Sequence, residues 1–157
     1  MKAAVIGVSA LVVVALVAGG YFVLRPDSKD SKNGQTDYAA QLESLCVDSR
    51  KQTEALGQPS DIPISTFYPG TVRIGRAFLK DAKALTPPPE QAAAAKTFLQ
   101  ERGLYYDGLE YAYQFLTSQS NAVAFQRIVE GAIANLVRAE TAAKALGAPA
   151  CALRPFE

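Results

Sequence analysis

Two cysteines, Cys46 and Cys151, are the residues here whose type and placement imply a definite piece of chemistry. An even count in an extracytoplasmic setting reads as a disulfide, and two cysteines allow one intrachain pairing. Closing a loop of about 100 residues is worth up to roughly 4.7 kcal/mol in the chain-entropy model, with strain reducing it. Two buried free thiols in a reduced compartment are the competing reading. Zinc fits poorly, because two thiols in a chain without histidine cannot complete a four-ligand site.

Other reactive groups are present without an arrangement. The chain has 15 Asp and Glu, but no spacing singles out an acid–base pair, and no histidine can serve as a base at neutral pH. Glu110 lies among tyrosines, and a solvated helix face is the expected setting for it. A glycine-rich phosphate loop, a Gly-x-Ser-x-Gly elbow and a Glu-x-x-His pair are all missing. The expectation is a non-enzyme without catalytic residues, metal or cofactor. Of the 16 Lys and Arg, Lys2 alone precedes residue 25, so residues 25–157 carry 15 charges of each sign. With no basic stripe, a nucleic-acid partner is not expected.

What places the cysteines is the stretch at residues 3–24, AAVIGVSALVVVALVAGGYFVL, which contains no charge. About 20 apolar residues cross a hydrocarbon core of roughly 30 Å. Pro26, just beyond, cannot continue a helix. A cleaved signal peptide is the alternative, with Lys2 as its charged region and Val17-Ala18-Gly19 as a passable site. Its apolar part would normally end sooner, whereas Tyr21-Phe22-Val23-Leu24 continues the run. Leu16-Val17-Ala18-Gly19 also resembles a lipobox, but Gly20 stands where the lipidated cysteine belongs. The expectation is an uncleaved single-pass membrane anchor, with secretion after cleavage as the alternative. For orientation, Arg25, Lys29 and Lys32 outnumber Lys2 and the amino terminus, which by itself would leave the domain inside. The short segment before the span and the cysteine pair argue for an extracytoplasmic domain.

Residues 25–35, RPDSKDSKNGQ, read as a flexible tether, and residues 36–157 as one small domain. Four amphipathic helices are expected there. The first runs over 36–56, capped by Thr36 or Asp37 and stopped by Gly57. The second covers 66–85, with Pro69 in its first turn, and the third 90–117. The fourth is capped by Ser120 and runs to Leu146, with Gly147 as its stop. No strand pattern occurs. The fold class is all-α: a transmembrane helix followed by an antiparallel four-helix bundle stapled by the Cys46–Cys151 disulfide.

In that topology the tail after Gly147 folds back along the first helix to reach Cys46, near the membrane. The third and fourth helices outrun the first, leaving a distal end to be covered. Ile62, Ile64, Phe67, Tyr68, Tyr111, Tyr113, Phe115 and Phe125 fall there, as a candidate interaction surface or simply a plug. The run Tyr105-Tyr106-Asp107-Gly108-Leu109-Glu110-Tyr111-Ala112-Tyr113 covers all sides of a helix, so some tyrosines must face outward. Gly103, Gly108 and Gly131 sit inside helices at about 1 kcal/mol each relative to Ala. Either the two long helices approach closely at Gly108 and Gly131, or these are surface positions.

Leu45-Cys46, the Leu85-Thr86-Pro87-Pro88-Pro89 connector and Ala145-Leu146-Gly147-Ala148-Pro149-Ala150-Cys151, behind an apolar start, resemble small envelope proteins of high-GC, actinobacterial-type bacteria. Those are Ala-rich helical bundles, secreted or lipid-anchored, with a cysteine at each end. The likeness covers residues 38–151 and implies a compartment and a fold, but no ligand residues. The function expected is a membrane-tethered module that binds a protein or ligand of the cell envelope. An enzyme acting on an envelope polymer and a structural spacer are the alternatives.

Overall fold

The computed structural model describes residues 34–118 and 121–152. The apolar stretch 3–24 and tether residues 25–33 lie outside these. Among the described residues no helix is long and apolar enough to cross a membrane. Four α-helices form the domain: α1 (Gly34–Glu54), α2 (Ile64–Ala84), α3 (Ala92–Ser118) and α4 (Ala122–Ala145). Short 3-10 turns occupy Pro89–Gln91 and Pro149–Ala152. The helix α1 thus takes in Gly34 and Gln35, which the sequence assigns to the tether.

Helix α1 buries Tyr38, Leu42 and Cys46, each four residues from the next, so one stripe faces the core. It ends where Gly57 adopts φ 102°, a left-handed conformation that suits glycine. Ile62 packs against that glycine, with its Cγ2 3.0 Å from where a β-carbon would lie. Helix α2 begins at Ile64, two residues before the expected start, because the Pro63 carbonyl accepts from the Thr66 and Phe67 amides. Pro69 therefore lies beyond the first turn. It lacks the N–H that would bond to Ser65, but both residues are exposed, so water can satisfy that carbonyl.

Helix α2 buries Thr71, Ile74, Gly75, Phe78, Leu79 and Ala82, a stripe with three-four spacing. Leu85 then turns extended (ψ 143°) and the proline run leads through the 3-10 turn into α3, two residues after the expected start. The cap of α4 is Asn121, not Ser120: its side-chain oxygen accepts from the Ala124 amide at 3.1 Å. At the other end of α4, Gly147 (φ 71°) forms the expected stop. The Ala148 amide donates to Ala143 and the Gly147 amide to Lys144, the paired bonds of a Schellman motif.

Facing residues give the topology. Gly75 meets Tyr106, and Leu79 lies beside Gly103, so α2 and α3 are antiparallel. Gly108 meets Ala132 and Glu101 pairs with Arg138, so α3 and α4 are antiparallel too. Leu56, just past α1, packs on Gly70 near the start of α2, and Ala39 near the start of α1 lies beside Gly147 just past α4, so α1 and α2 are antiparallel as well. The terminal turn packs against both α4 and α1 and closes the array. The starts of α1 and α3 and the ends of α2 and α4 consequently share one end of the bundle.

The glycines in the long helices divide. A β-carbon on Gly108 would sit 2.7 Å from the Ala132 β-carbon, so the close approach is real there. Gly131 has nothing within 4 Å of that position and is an exposed site. Gly131→Ala is accordingly expected to stabilise by about 0.5–1 kcal/mol through helix propensity. Gly108→Ala should destabilise by about 1–2 kcal/mol, overpacking outweighing the same gain. Urea unfolding of the two variants checks the opposite signs.

Candidate functional site

The two sulfurs are bonded. Cys46 on α1 and Cys151 in the terminal turn form a disulfide across 105 residues of chain, with their Cα atoms 5.0 Å apart. Both are buried in the main core cluster with Tyr38, Leu42, Phe98 and Leu146. The turn that carries Cys151 is held from two sides. Glu43 on α1 accepts from the Ala150 amide at 3.1 Å, and Arg102 on α3 donates to the Cys151 carbonyl at 3.1 Å. Arg102 itself lies over the rings of Phe78 and Phe98, 5.9 and 5.8 Å from their centroids. Sequence reading did not pick out Arg102. The signal was its place on the inner stripe Ala95, Phe98, Arg102, Tyr106, Leu109, where one cation interrupts apolar residues.

The distal aromatic set is only partly a surface. The Tyr68 ring meets Phe125 edge-on at 6.3 Å and Phe67 at 5.8 Å, which ties the start of α2 to the start of α4. Phe67, Tyr68, Tyr113, Phe115 and Phe125 are half-buried, as is Ile62. Burial pushes the Tyr68 phenol above its ordinary pKa, and Tyr38 is shifted the same way. Ile64 and Tyr111 are the members left open, at 46% and 57% exposure. Most of this set therefore packs the end of the bundle. Of the tyrosine run, Tyr106 lies buried on Gly75 and Tyr111 faces out.

A concave site lies elsewhere, on the outer face between α2 and α3. It is an open groove of about 640 Å³, within the range of small-molecule sites, roughly 300–1,000 Å³. It is lined by Leu79, Ala95, Leu99, Gly103 and Leu104, and toward the end of α2 and the start of α3 by Leu85, Pro87 and Ala92. Small residues on α3 create the trough: a β-carbon at Gly103 would meet nothing nearer than Leu79 at 4.0 Å. Arg76 closes the far end, bound to Asp107 and, at 3.1 Å, to Glu110. The hydrogen bond to Asp107 raises the Arg76 pKa above its ordinary value, with Glu110 adding to the effect and partial burial opposing it. All three side chains are about half exposed, so the cluster positions more than it stabilises. Glu110 is thus an ion-pair partner. Lys83 and Lys96 flank the near end, and neither pairs with a carboxylate among the described residues.

No protein-family model, curated protein or solved structure matches this chain. The groove's chemistry is that of its own side chains: an apolar trough with an ion-paired cluster of one arginine and two carboxylates at one end and two unpaired lysines at the other. Sequence reading missed it. The available signal was a second stripe on α3, at Ala92, Lys96, Leu99, Gly103 and Asp107, offset by one residue from the buried one. Among the described residues no three Cys, Asp or Glu are grouped as metal ligands.

Proposed function

We propose that this chain is a membrane-tethered, extracytoplasmic helical module of the cell envelope that binds a ligand or partner. The buried Cys46–Cys151 bond carries the reading, because a lone disulfide joining the first helix to the tail belongs to an oxidising space. The uncharged stretch at residues 3–24 supports the tether. The open groove supports binding, and its lining favours binding over catalysis. Its one carboxylate is Asp107, which Arg76 already holds, so no free acid faces a second acid across the trough.

The test is the full chain produced in bacterial cells with a reporter enzyme fused after Glu157 that is active only outside the cytosol. Activity, sedimentation with membranes under alkaline extraction, and a mobility shift on reduction are the expected results. A fusion active only in the cytosolic format, or both thiols open to alkylation in the native chain, would overturn the reading.

A further inference from the structure

The groove has a direction relative to the tether. The start of α1, the end of α2 and the start of α3 share one end of the bundle, and the part of the groove lined by Leu85, Pro87 and Ala92, here called its mouth, lies at that end. Tether residues 25–33 separate the apolar stretch from Gly34, a span of at most about 30 Å. On the proposed tether, which this inference rests on, the end of the bundle that carries the mouth is the end joined to the bilayer.

Charge is distributed to match. Lys83 and Lys96 stand in the half of the groove nearest the mouth, where the lining holds no carboxylate. At the far end one guanidinium, Arg76, faces two carboxylates, Asp107 and Glu110, and the excess negative charge disfavours an anionic group there. The rest of the lining is mainly apolar: Leu79, Ala95, Leu99, Gly103 and Leu104. A ligand that fits has an anionic head and an apolar body, with the head nearest the membrane. Lysines reach such heads by extending their aliphatic stems along apolar surface.

We infer that the α2–α3 groove receives an acyl chain of an anionic phospholipid from the adjoining bilayer, with Lys83 and Lys96 holding its phosphate at the mouth. An acidic peptide would find the same charges, but the short tether places lipid, not a free peptide, at the mouth at high effective concentration.

The experiment is native mass spectrometry of the full chain in a zwitterionic detergent, titrated with dioleoylphosphatidylglycerol or dioleoylphosphatidylcholine. The chain should retain phosphatidylglycerol preferentially. K83Q/K96Q should weaken that binding by about 25-fold, roughly fivefold per lysine. G103L should abolish it by filling the trough, while its melting temperature stays level or rises, because leucine is the better helix former. Equal retention of the two lipids, or phosphatidylglycerol binding undiminished in a folded G103L chain, overturns the proposal. So does a G103L-sensitive polypeptide, a second copy of the chain, or added oleate binding where phosphatidylglycerol does not. Lipid binding in detergent does not depend on topology. A cytosolic reporter therefore defeats the extracytoplasmic placement alone, and a chain displayed outside that fails to bind lipid defeats the groove alone.

Discussion

Cys151→Ser is expected to lower the stability of the domain by about 3–5 kcal/mol. The bond closes 105 residues of chain, and the chain-entropy model assigns about 4.7 kcal/mol to a loop of that size. A domain of this length has roughly 5–15 kcal/mol in all, so the loss would take a large part of it. The expected fall in melting temperature exceeds about 10 °C. Local losses point the same way. The turn at Pro149–Ala152 would lose its covalent hold, and with it the Arg102 bond to the Cys151 carbonyl and the Glu43 bond to the Ala150 amide. Adding Cys46→Ser should cost little more, since the bond is already gone, and reductant should reproduce the single variant. Identical melting curves for the oxidised chain and Cys151→Ser would show that the bond does not hold the domain together.

That bond was legible in the sequence, and so were four helices, because a cysteine pair and three-four periodicity are local signals. The Gly147 stop was legible for the same reason: a glycine following an apolar-periodic run is a cap that needs no tertiary information. The errors of one to two residues at the starts of α2 and α3 and at the cap of α4 follow from competition between adjacent candidates. Pro63 and Pro69 can each mark a helix start, and Ser120 and Asn121 are both good caps; the helices start after Pro63 and Asn121. Gly108 and Gly131 show the limit of local reading. Both cost a helix the same, and only the position of α4 decides that one faces Ala132 and the other faces solvent.

The groove was not legible, because it is what two helices fail to fill. Leu99 and Leu104 read as ordinary apolar positions until Leu79 and Gly103 are set opposite each other. The distal aromatics left two readings open, a surface or a plug, and the Tyr68 and Phe125 rings pack on one another as a plug would. Composition reports how much apolar area exists; pairing decides how much is left over.

Phe98→Ala is the second large effect expected, a loss of about 3–5 kcal/mol, the usual range for emptying a buried aromatic site. Phe98 has no exposed surface, and its ring meets Phe78 edge-on at 6.1 Å. Arg102 lies over both rings and reaches the Cys151 carbonyl, so the ring supports the cation that holds the disulfide turn. Phe98→Ala and Arg102→Ala should therefore be non-additive, with a coupling of about 0.5–2 kcal/mol in urea unfolding. Tyr111→Ala, at a position 57% exposed, should stay within about 0.5 kcal/mol and serves as the control. The position also bears on the groove. Along α3 each inward residue has a groove-facing successor: Ala95 with Lys96, Phe98 with Leu99, Arg102 with Gly103, Tyr106 with Asp107. Rotation of α3 to fill the space left by Phe98 would turn that second stripe out of register with α2. Phe98→Ala should then weaken lipid retention although it touches no ligand, and a variant destabilised to the expected degree with retention unchanged would show that the two faces of α3 are independent.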